Sequence, residues 1–507
     1  MIDNLLNEVQ QQAEQDAQEV EELKELPLRK RLIRIREVEL NNLIDIWTRE
    51  GKNGNKPKAL PTWLVCSLIM KEIPFVLFDN EEHTKIAMYL ETDGIYTQNY
   101  GIIKKHLSWL EPSLNNNRAD EVIYHIRNRA NIREKTQQPH LIPVGNGIYN
   151  RATGVLEPFN SDYIFTAKVN TNYVENAPKP IIDGWDVDEW IREIACYDDE
   201  IETLLWQVVN DSLNGNYTRK KAIFLVGEGN NSKGTYQDFI KYIVGGENVA
   251  YLKIDEFEKQ FRTSVLFGKT VCIGDDVPVG VYIDDSSTFK SVVTGDPVLV
   301  EFKRKQPYST NFYCTVIQST NGMPRFKDKT HGNLRRILIV PFNADFNGSV
   351  ENRNIKDTYI KDKAVLEYAL FKAIKMDFAN FIIPKASQEK MTSFMADNDP
   401  VYDFKVAVFD EWNKEFSIKY LPQDFVYMVY ENFCDRNNYK PLSERKFKQQ
   451  FERYLPDEWD GGNVRRITSD IHITTISRLA KREHVTYDVK RDKPYRSYQN
   501  NRIKAVN

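Results

Sequence analysis

Residues Ala222-Ile-Phe-Leu-Val-Gly-Glu-Gly-Asn-Asn-Ser-Lys-Gly-Thr-Tyr236 decide the fold of this 507-residue chain. Ala222 to Val226 is a continuous apolar run, the pattern of a strand buried on both faces. Gly227, Glu228, Gly229, Asn230, Asn231 and Ser232 follow as a loop, and Lys233 stands where a helix should begin, predicted to run to about Val244 before Gly245-Gly246. A strand, a glycine-bearing loop and a helix N-terminus make a phosphate cradle. Backbone N–H groups point inward, the helix dipole favours an anion, and a lysine reaches the terminal phosphates. The P-loop pattern G-x-x-x-x-G-K-[ST] is not met in full. Ser232 occupies the second glycine position, Gly234 stands where a magnesium-binding hydroxyl belongs, and Thr235 comes one residue later.

Three stretches downstream give the loop a context. Thr270-Val-Cys-Ile-Gly-Asp-Asp276 reads as a buried strand ending in two carboxylates, Asp275 suited to a Mg²⁺ shell and Asp276 to polarising an attacking water. The plain alternative is a solvated turn. Gly295 to Tyr308 reads as a strand pair whose tip carries Lys303, Arg304 and Lys305. Such a tip is either a charged edge that discourages aggregation or a finger that tracks phosphates. Phe312 to Asn321 is a further buried strand that emerges polar, and Arg335-Arg336 precede the strand Ile337 to Phe342.

The chain as a whole is globular in composition, 41% hydrophobic and 12% aromatic, with length for three or four domains. Its five cysteines are isolated, with no zinc spacing, and read as reduced thiols of a cytoplasmic protein. No apolar run reaches membrane-spanning length, and the acidic, Gln-rich start is unlike a signal peptide, so neither a membrane partner nor export is expected. The net charge of −4 hides an asymmetry. Residues 1–26 hold eight acidic groups against one lysine, whereas residues 435–507 hold seventeen Lys/Arg against ten Asp/Glu. A basic tail region on an acidic body points to a local polyanion site or, more plainly, to solvated surface.

Towards the N-terminus, Leu6, Val9, Ala13, Val20 and Leu23 form a narrow helical stripe, a docking helix or an exposed arm, ended by Pro27. A second helix carries Leu32, Ile33, Ile35 and Leu40, and Gly51 to Lys58 reads as a linker. Ala87 to Tyr96 is predicted to be a hairpin turning at Asp93-Gly94, followed by short strands at Leu141–Tyr149 and Phe165–Val169. Nothing there has acid–base or metal-ligand character. Residues 186–213 are predicted helical.

The ordered set resembles superfamily 3 helicases, in particular the phage/plasmid P4/D5 primase-helicase branch. Phe267-Gly-Lys-Thr-Val-Cys-Ile-Gly-Asp-Asp is similar to that family's acidic motif, and Leu299 to Tyr308 to its DNA hairpin. Ser319-Thr-Asn-Gly-Met-Pro324 with Gly332-Asn-Leu-Arg-Arg336 is similar to its sensor and arginine finger. Val144-Gly-Asn-Gly-Ile-Tyr-Asn with Gly154-Val-Leu-Glu-Pro resembles the domain preceding the ATPase. The resemblance covers roughly residues 75–390. It implies a multidomain α/β chain with a central AAA+-like P-loop ATPase, acting as a hexameric ring with ATP and Mg²⁺ between subunits. Lys233 would neutralise the β/γ-phosphates, Asp275 and Thr235 would hold the metal, and Asn321 would sense the γ-phosphate. Arg335 or Arg336 would reach a neighbour's site, and the 303–305 cations would pull DNA with 3′→5′ polarity. No segment before residue 200 offers an acidic triad or zinc ribbon, so a helicase without primase is expected.

The remaining C-terminal stretch reads as a helix-turn-helix. Phe425, Val429, Tyr430 and Phe433 form one apolar face. A second helix starts at Ser443, burying Phe447 and Phe451 and presenting Arg445, Lys448, Gln449 and Glu452. Gly461-Gly462, Arg465-Arg466 and a strand at Ile471–Ile476 would add a wing. The expected divisions are an N-terminal arm (1–60), a D5-N-like α+β domain (61–185), a helical collar (186–215), the ATPase core (216–350), a lid (351–398) and a winged-helix domain (399–507). The combined reading is a replication initiator of a mobile genetic element, with origin DNA and host replication proteins as partners. A DNA-binding protein whose P-loop does not hydrolyse ATP is the alternative, and a small-molecule kinase a weaker third.

Overall fold

The apolar run at 222–226 forms strand β1 (Ala222–Val226), every residue of it buried, and the helix after the loop is α1 (Lys233–Val244). In the computed structural model of the chain, residues 25–80, 84–301, 307–326, 331–347 and 352–503 are described. The stripe at residues 6–23 and the cations Lys303, Arg304 and Lys305 lie outside them. The chain divides into two units. One takes in residues up to Val277 with Ser286–Thr320 and Phe342–Ile382. The other holds Pro278–Asp285, Asn321–Pro341 and the chain from Ile383 onward.

In the first unit β1 lies beside β4 (Thr315–Thr320), which lies beside β3 (Val271–Val277), which lies beside β2 (Val249–Tyr251), all parallel. The strand after the loop-bearing one in sequence is thus not its neighbour, and β4 is inserted between β1 and the acidic strand β3. Parallel strands covered on both faces call for near-continuous apolar runs; β1 has one, whereas β4 buries Thr315, Gln318, Ser319 and Thr320 beside Val316 and Ile317. The helix Asp199–Ser212 is tied to this sheet by a buried ion pair. Asp211 accepts from Arg219 Nη1 at 2.7 Å and from the Thr315 hydroxyl at 2.7 Å. Desolvating this pair is opposed by its hydrogen bonds, by Arg219 Nε and Nη2 donating to Phe378 O at 3.3 Å and by Arg219 stacking on Phe378, 4.0 Å from the ring centre.

Upstream in the same unit, the helices Leu28–Arg49, Thr62–Glu72, Tyr100–Leu110 and Asn116–Arg127 bury one core with a mixed sheet. Its strands run in the order Ile95–Thr97, Ala87–Leu90, Phe75–Leu77, Asn131–Ile132. The Asp93-Gly94 hairpin is present, with Gly94 at φ 66°. The buried carboxylate of Glu111 accepts the Leu60 N–H at 2.9 Å and Arg36 Nε at 3.1 Å, fixing the linker to the helices. A three-stranded antiparallel sheet follows at Leu141–Val144, Gly147–Asn150 and Val155–Glu157. Phe165–Val169, expected as a strand, joins no sheet; single bonds such as Val169 N–H to Pro143 O hold it instead.

The second unit has an aromatic core around Phe404, Trp412, Tyr430, Phe447 and Phe451. Strand β5 (Tyr420–Pro422) leads into α2 (Gln423–Arg436), and α3 (Glu444–Phe451) follows after a turn. Then come β6 (Trp459–Arg466), α4 (Asp470–Arg482) and β7 (Pro494–Asn500), the strands ordered β5-β7-β6. The wing strand expected at Ile471–Ile476 is therefore helix. Its β-branched residues favour a strand locally, but Ile476, Leu479 and Ala480 reach the core only at helical spacing.

Candidate functional site

The loop between β1 and α1 is held by backbone geometry that its residue types only partly suggest. Ser232 has φ 65° and ψ 12°, the left-handed conformation that the glycine of the P-loop pattern would adopt without strain. A left-handed non-glycine residue costs roughly 1–2 kcal/mol. Glycine's extra unfolded-state entropy returns roughly 0.4–1 kcal/mol of this. Ser232→Gly is therefore expected to raise stability by about 0.5–1 kcal/mol, read as an upward shift in the denaturation midpoint. A lowered midpoint would mean that the serine hydroxyl carries an interaction outweighing the strain.

Gly227 is required by a close approach. A Cβ there would sit 2.0 Å from the Phe342 carbonyl oxygen and 2.4 Å from Asn231 Nδ2. Those atoms fasten the loop: Asn231 Nδ2 donates to Phe342 O at 2.9 Å, and the Phe342 N–H donates to Val226 O at 2.8 Å. Gly227→Ala is expected to cost about 1–3 kcal/mol, measured by chemical denaturation. An unchanged midpoint would show that the 342–347 segment yields freely. Gly229 is different, because nothing lies within 4 Å of where its Cβ would be.

Lys233 folds back into the loop. Its Nζ donates to Gly227 O at 2.5 Å, Glu228 O at 3.0 Å and Asn231 Oδ1 at 3.1 Å. Burial pulls its pKa below the ordinary lysine value, while the carboxylates of Asp275 and Asp276 oppose that shift. The Ser232 side chain does not cap α1, and the first N–H groups of a helix have no intrahelical partner. Gly234 contributes no hydroxyl, and Lys356 Nζ lies 4.0 Å from where its Cβ would be. Thr235, half-buried, sits about 100° further round the helix.

The two carboxylates come from a β-bulge. Gly274 pairs with Gln318 and Val277 with Thr320, so Asp275 and Asp276 together face the single residue Ser319. Asp276 has φ 50°, and both side chains are exposed where strand alternation would bury one. Ser319, buried, holds the bulge: its hydroxyl donates to Asp275 Oδ1 at 2.7 Å and accepts the Asp276 N–H at 3.0 Å. Lys253 Nζ donates to Asp276 O at 2.9 Å. Gly274 leaves room for the buried Gln318 amide, which accepts the Ile254 N–H at 2.8 Å. The holding roles of these residues were not read from the sequence: Asn231 was expected only as part of the ATP-binding loop, Ser319 only as the first residue of the sensor-like stretch, and Lys253 not at all. The only signal was polarity, in the run Gln318-Ser-Thr at the end of an apolar strand and in the Asn pair of the loop.

Lys233 and the two aspartates thus belong to one unit and interact electrostatically. A half-buried lysine in a loop cradle beside two exposed carboxylates fits a phosphate chain with a divalent cation. Asn321, Arg335, Arg336 and the expected α3 residues lie in the second unit. Asn321 is exposed and directly follows β4. Arg335 is exposed, and Arg336 is half-buried and donates to Gly332 O. On α3, Arg445 and Gln449 are exposed, while Lys448 is half-buried and paired with Glu444 at 2.5 Å.

Comparison with known proteins matches residues 68–196 to a family described as D5 N terminal like and residues 396–481 to one described as Poxvirus D5 protein-like. Residues 225–336, which hold the site, match a family of unknown function, DUF5906. Among solved structures, the A form apo structure of the NrS-1 C terminal region is 12% identical, with 87% of this chain and 99% of that chain covered and a TM-score of 0.50. A second apo structure of that region is 13% identical over the same shares, at TM-score 0.49. The chain is thus a multidomain α/β protein with D5-type sequence at both flanks of a parallel-sheet core. None of its described helices is long and apolar enough to cross a membrane.

Proposed function

We propose that this chain is a DNA-dependent ATPase and helicase that initiates replication of a mobile genetic element. The observation carrying the proposal is the convergence on one unit of Lys233, in its glycine-bearing loop, with the Asp275–Asp276 bulge. In this reading the loop residues 227–235 hold ATP, and Lys233 neutralises its terminal phosphates. Asp275 with Thr235 holds Mg²⁺, and Asp276 orients water. Asn321 senses the γ-phosphate, Arg335 or Arg336 completes a neighbouring subunit's site in a hexameric ring, and Lys303, Arg304 and Lys305 draw the strand. The β5–β7 unit acts as a winged helix with Arg445, Lys448 and Gln449 towards origin DNA. D5-type matches on both flanks support the replication reading. The test is ATP hydrolysis by the purified chain with and without DNA, alongside strand displacement on a forked duplex. DNA-stimulated hydrolysis with displacement is the expected result.

A second reading is favoured by Ser232 and by the missing hydroxyl at Gly234: a DNA-binding protein that keeps the cradle without turnover. Sequence-specific DNA binding with no hydrolysis would select it.

A further inference from the structure

The cations of the second unit are not confined to where a helix-turn-helix would put them, although Arg445 and Lys446 on α3 are exposed. On α3, Lys448 is neutralised by Glu444, and Glu452 follows on the next turn. The ribbon β6–β7 and the helix α4 inserted in it carry a different surface. In the ribbon Val464 pairs with Arg496 and Arg466 with Pro494, all four exposed, while Arg465 bonds Gln499 and Tyr495 is buried between them. On α4, Ile476, Leu479 and Ala480 are buried, whereas Ile471, Thr474, Arg478 and Lys481 form an exposed stripe at spacings of three, four and three residues.

Two bonds close the ribbon where α4 begins, and one ion pair ties the segment before β7 to the first turn of α4. Arg466 Nη1 donates to Asp492 O at 3.1 Å, the Asp492 N–H donates to Ile467 O at 3.1 Å, and Arg491 pairs with Asp470 at 3.1 Å. Among the described residues no carboxylate lies within ion-pair distance of Arg466, Arg478, Lys481 or Arg496, although each is exposed. Cations without carboxylate partners on two joined elements suit a polyanion. The apolar tips among them, Val464 at 61% and Ile471 at 64% exposure, suit base edges or the thymine methyl in a groove.

We infer that the outer face of the β6–β7 ribbon and the exposed stripe of α4 together form a duplex-DNA contact surface, separate from α3. Arg466, Arg496, Arg478 and Lys481 meet phosphates there, and Val464 and Ile471 meet the groove. The inference rests on the reading above that the chain acts on DNA, and deepens it.

Fluorescence anisotropy of the full chain with a fluorescein-labelled duplex, across a salt series, tests it. Arg478→Ala/Lys481→Ala and Arg466→Ala/Arg496→Ala are each expected to weaken binding roughly tenfold and to flatten the salt slope by about 0.9 per lost phosphate contact. The charge-conserving Arg478→Lys/Lys481→Arg should keep most of the affinity, and unchanged thermal denaturation of the exposed-site variants separates lost contact from lost fold. Unchanged affinity and slope in both alanine pairs, with loss in Arg445→Ala/Gln449→Ala, would overturn the inference and leave the DNA reading standing. No duplex binding by the unmodified chain would overturn both. Displacement of the duplex by poly-glutamate at equal charge concentration would make the face a docking site for acidic protein and also overturn it.

Discussion

Replacing Lys233 with alanine is expected to lower ATP turnover roughly 100- to 1,000-fold. Among the lysine's acceptors, Gly227 O, Glu228 O and Asn231 Oδ1 are loop groups that water can satisfy after truncation. The loop itself is fastened independently through Asn231 and Phe342. The loss should therefore appear in nucleotide binding and turnover with little change in denaturation midpoint. The cause is removal of a positive charge that only a phosphate chain would draw out of its present bonds. The same variant carries a test of assembly. Arg335→Ala/Arg336→Ala is expected to be inactive alone, and mixing it with Lys233→Ala should restore part of the activity. In a mixed ring, one subunit's intact lysine faces another's intact arginine. Two inactive preparations that stay inactive when mixed, under conditions of subunit exchange, would rule out a shared site.

Asp276→Asn is expected to leave ATP binding near normal while lowering turnover by about 100-fold or more. The substitution preserves size, and the bulge is held through the Asp276 backbone and not its carboxylate. The Ser319 hydroxyl accepts the Asp276 N–H, and Lys253 bonds the Asp276 carbonyl. On the proposed reading, what the substitution removes is the ability to polarise water. Asp275→Asn should behave differently. Its Oδ1 can still accept from Ser319, so geometry persists, but the lost charge should raise the Mg²⁺ concentration needed for half-maximal activity. Titrating Mg²⁺ against initial rate in both variants separates the roles. Equal Mg²⁺ dependence in the two would contradict the division of labour between the carboxylates.

The elements that local sequence could settle are those with one dominant signal. Five apolar residues from Ala222 to Val226 have no stable place but a covered strand, and Lys233 to Val244 keeps helical spacing up to a glycine pair. Asp275 and Asp276 at the end of an apolar run marked the acidic strand. Which way the carboxylates face was beyond the sequence, because the bulge exists only when Ser319, more than forty residues later, lies opposite them. The left-handed turn at Ser232 was likewise hidden, since serine gives no sign of positive φ and the conformation is imposed by the fastening of the loop to Phe342. At Ile471–Ile476 local propensity pointed the wrong way: β-branched residues favour a strand, but burial of Ile476, Leu479 and Ala480 in one core outweighs that preference and selects a helix. Burial and charge patterning within single segments located the buried strands, the glycine-bearing loop and the chemical groups, because each of those is a local property. Tertiary structure alone decided how Ser319, Asn231 and Lys253 hold those groups, and which cations of the C-terminal unit stay free of carboxylate partners. Those outcomes depend on residues far apart in the chain meeting across strands and turns.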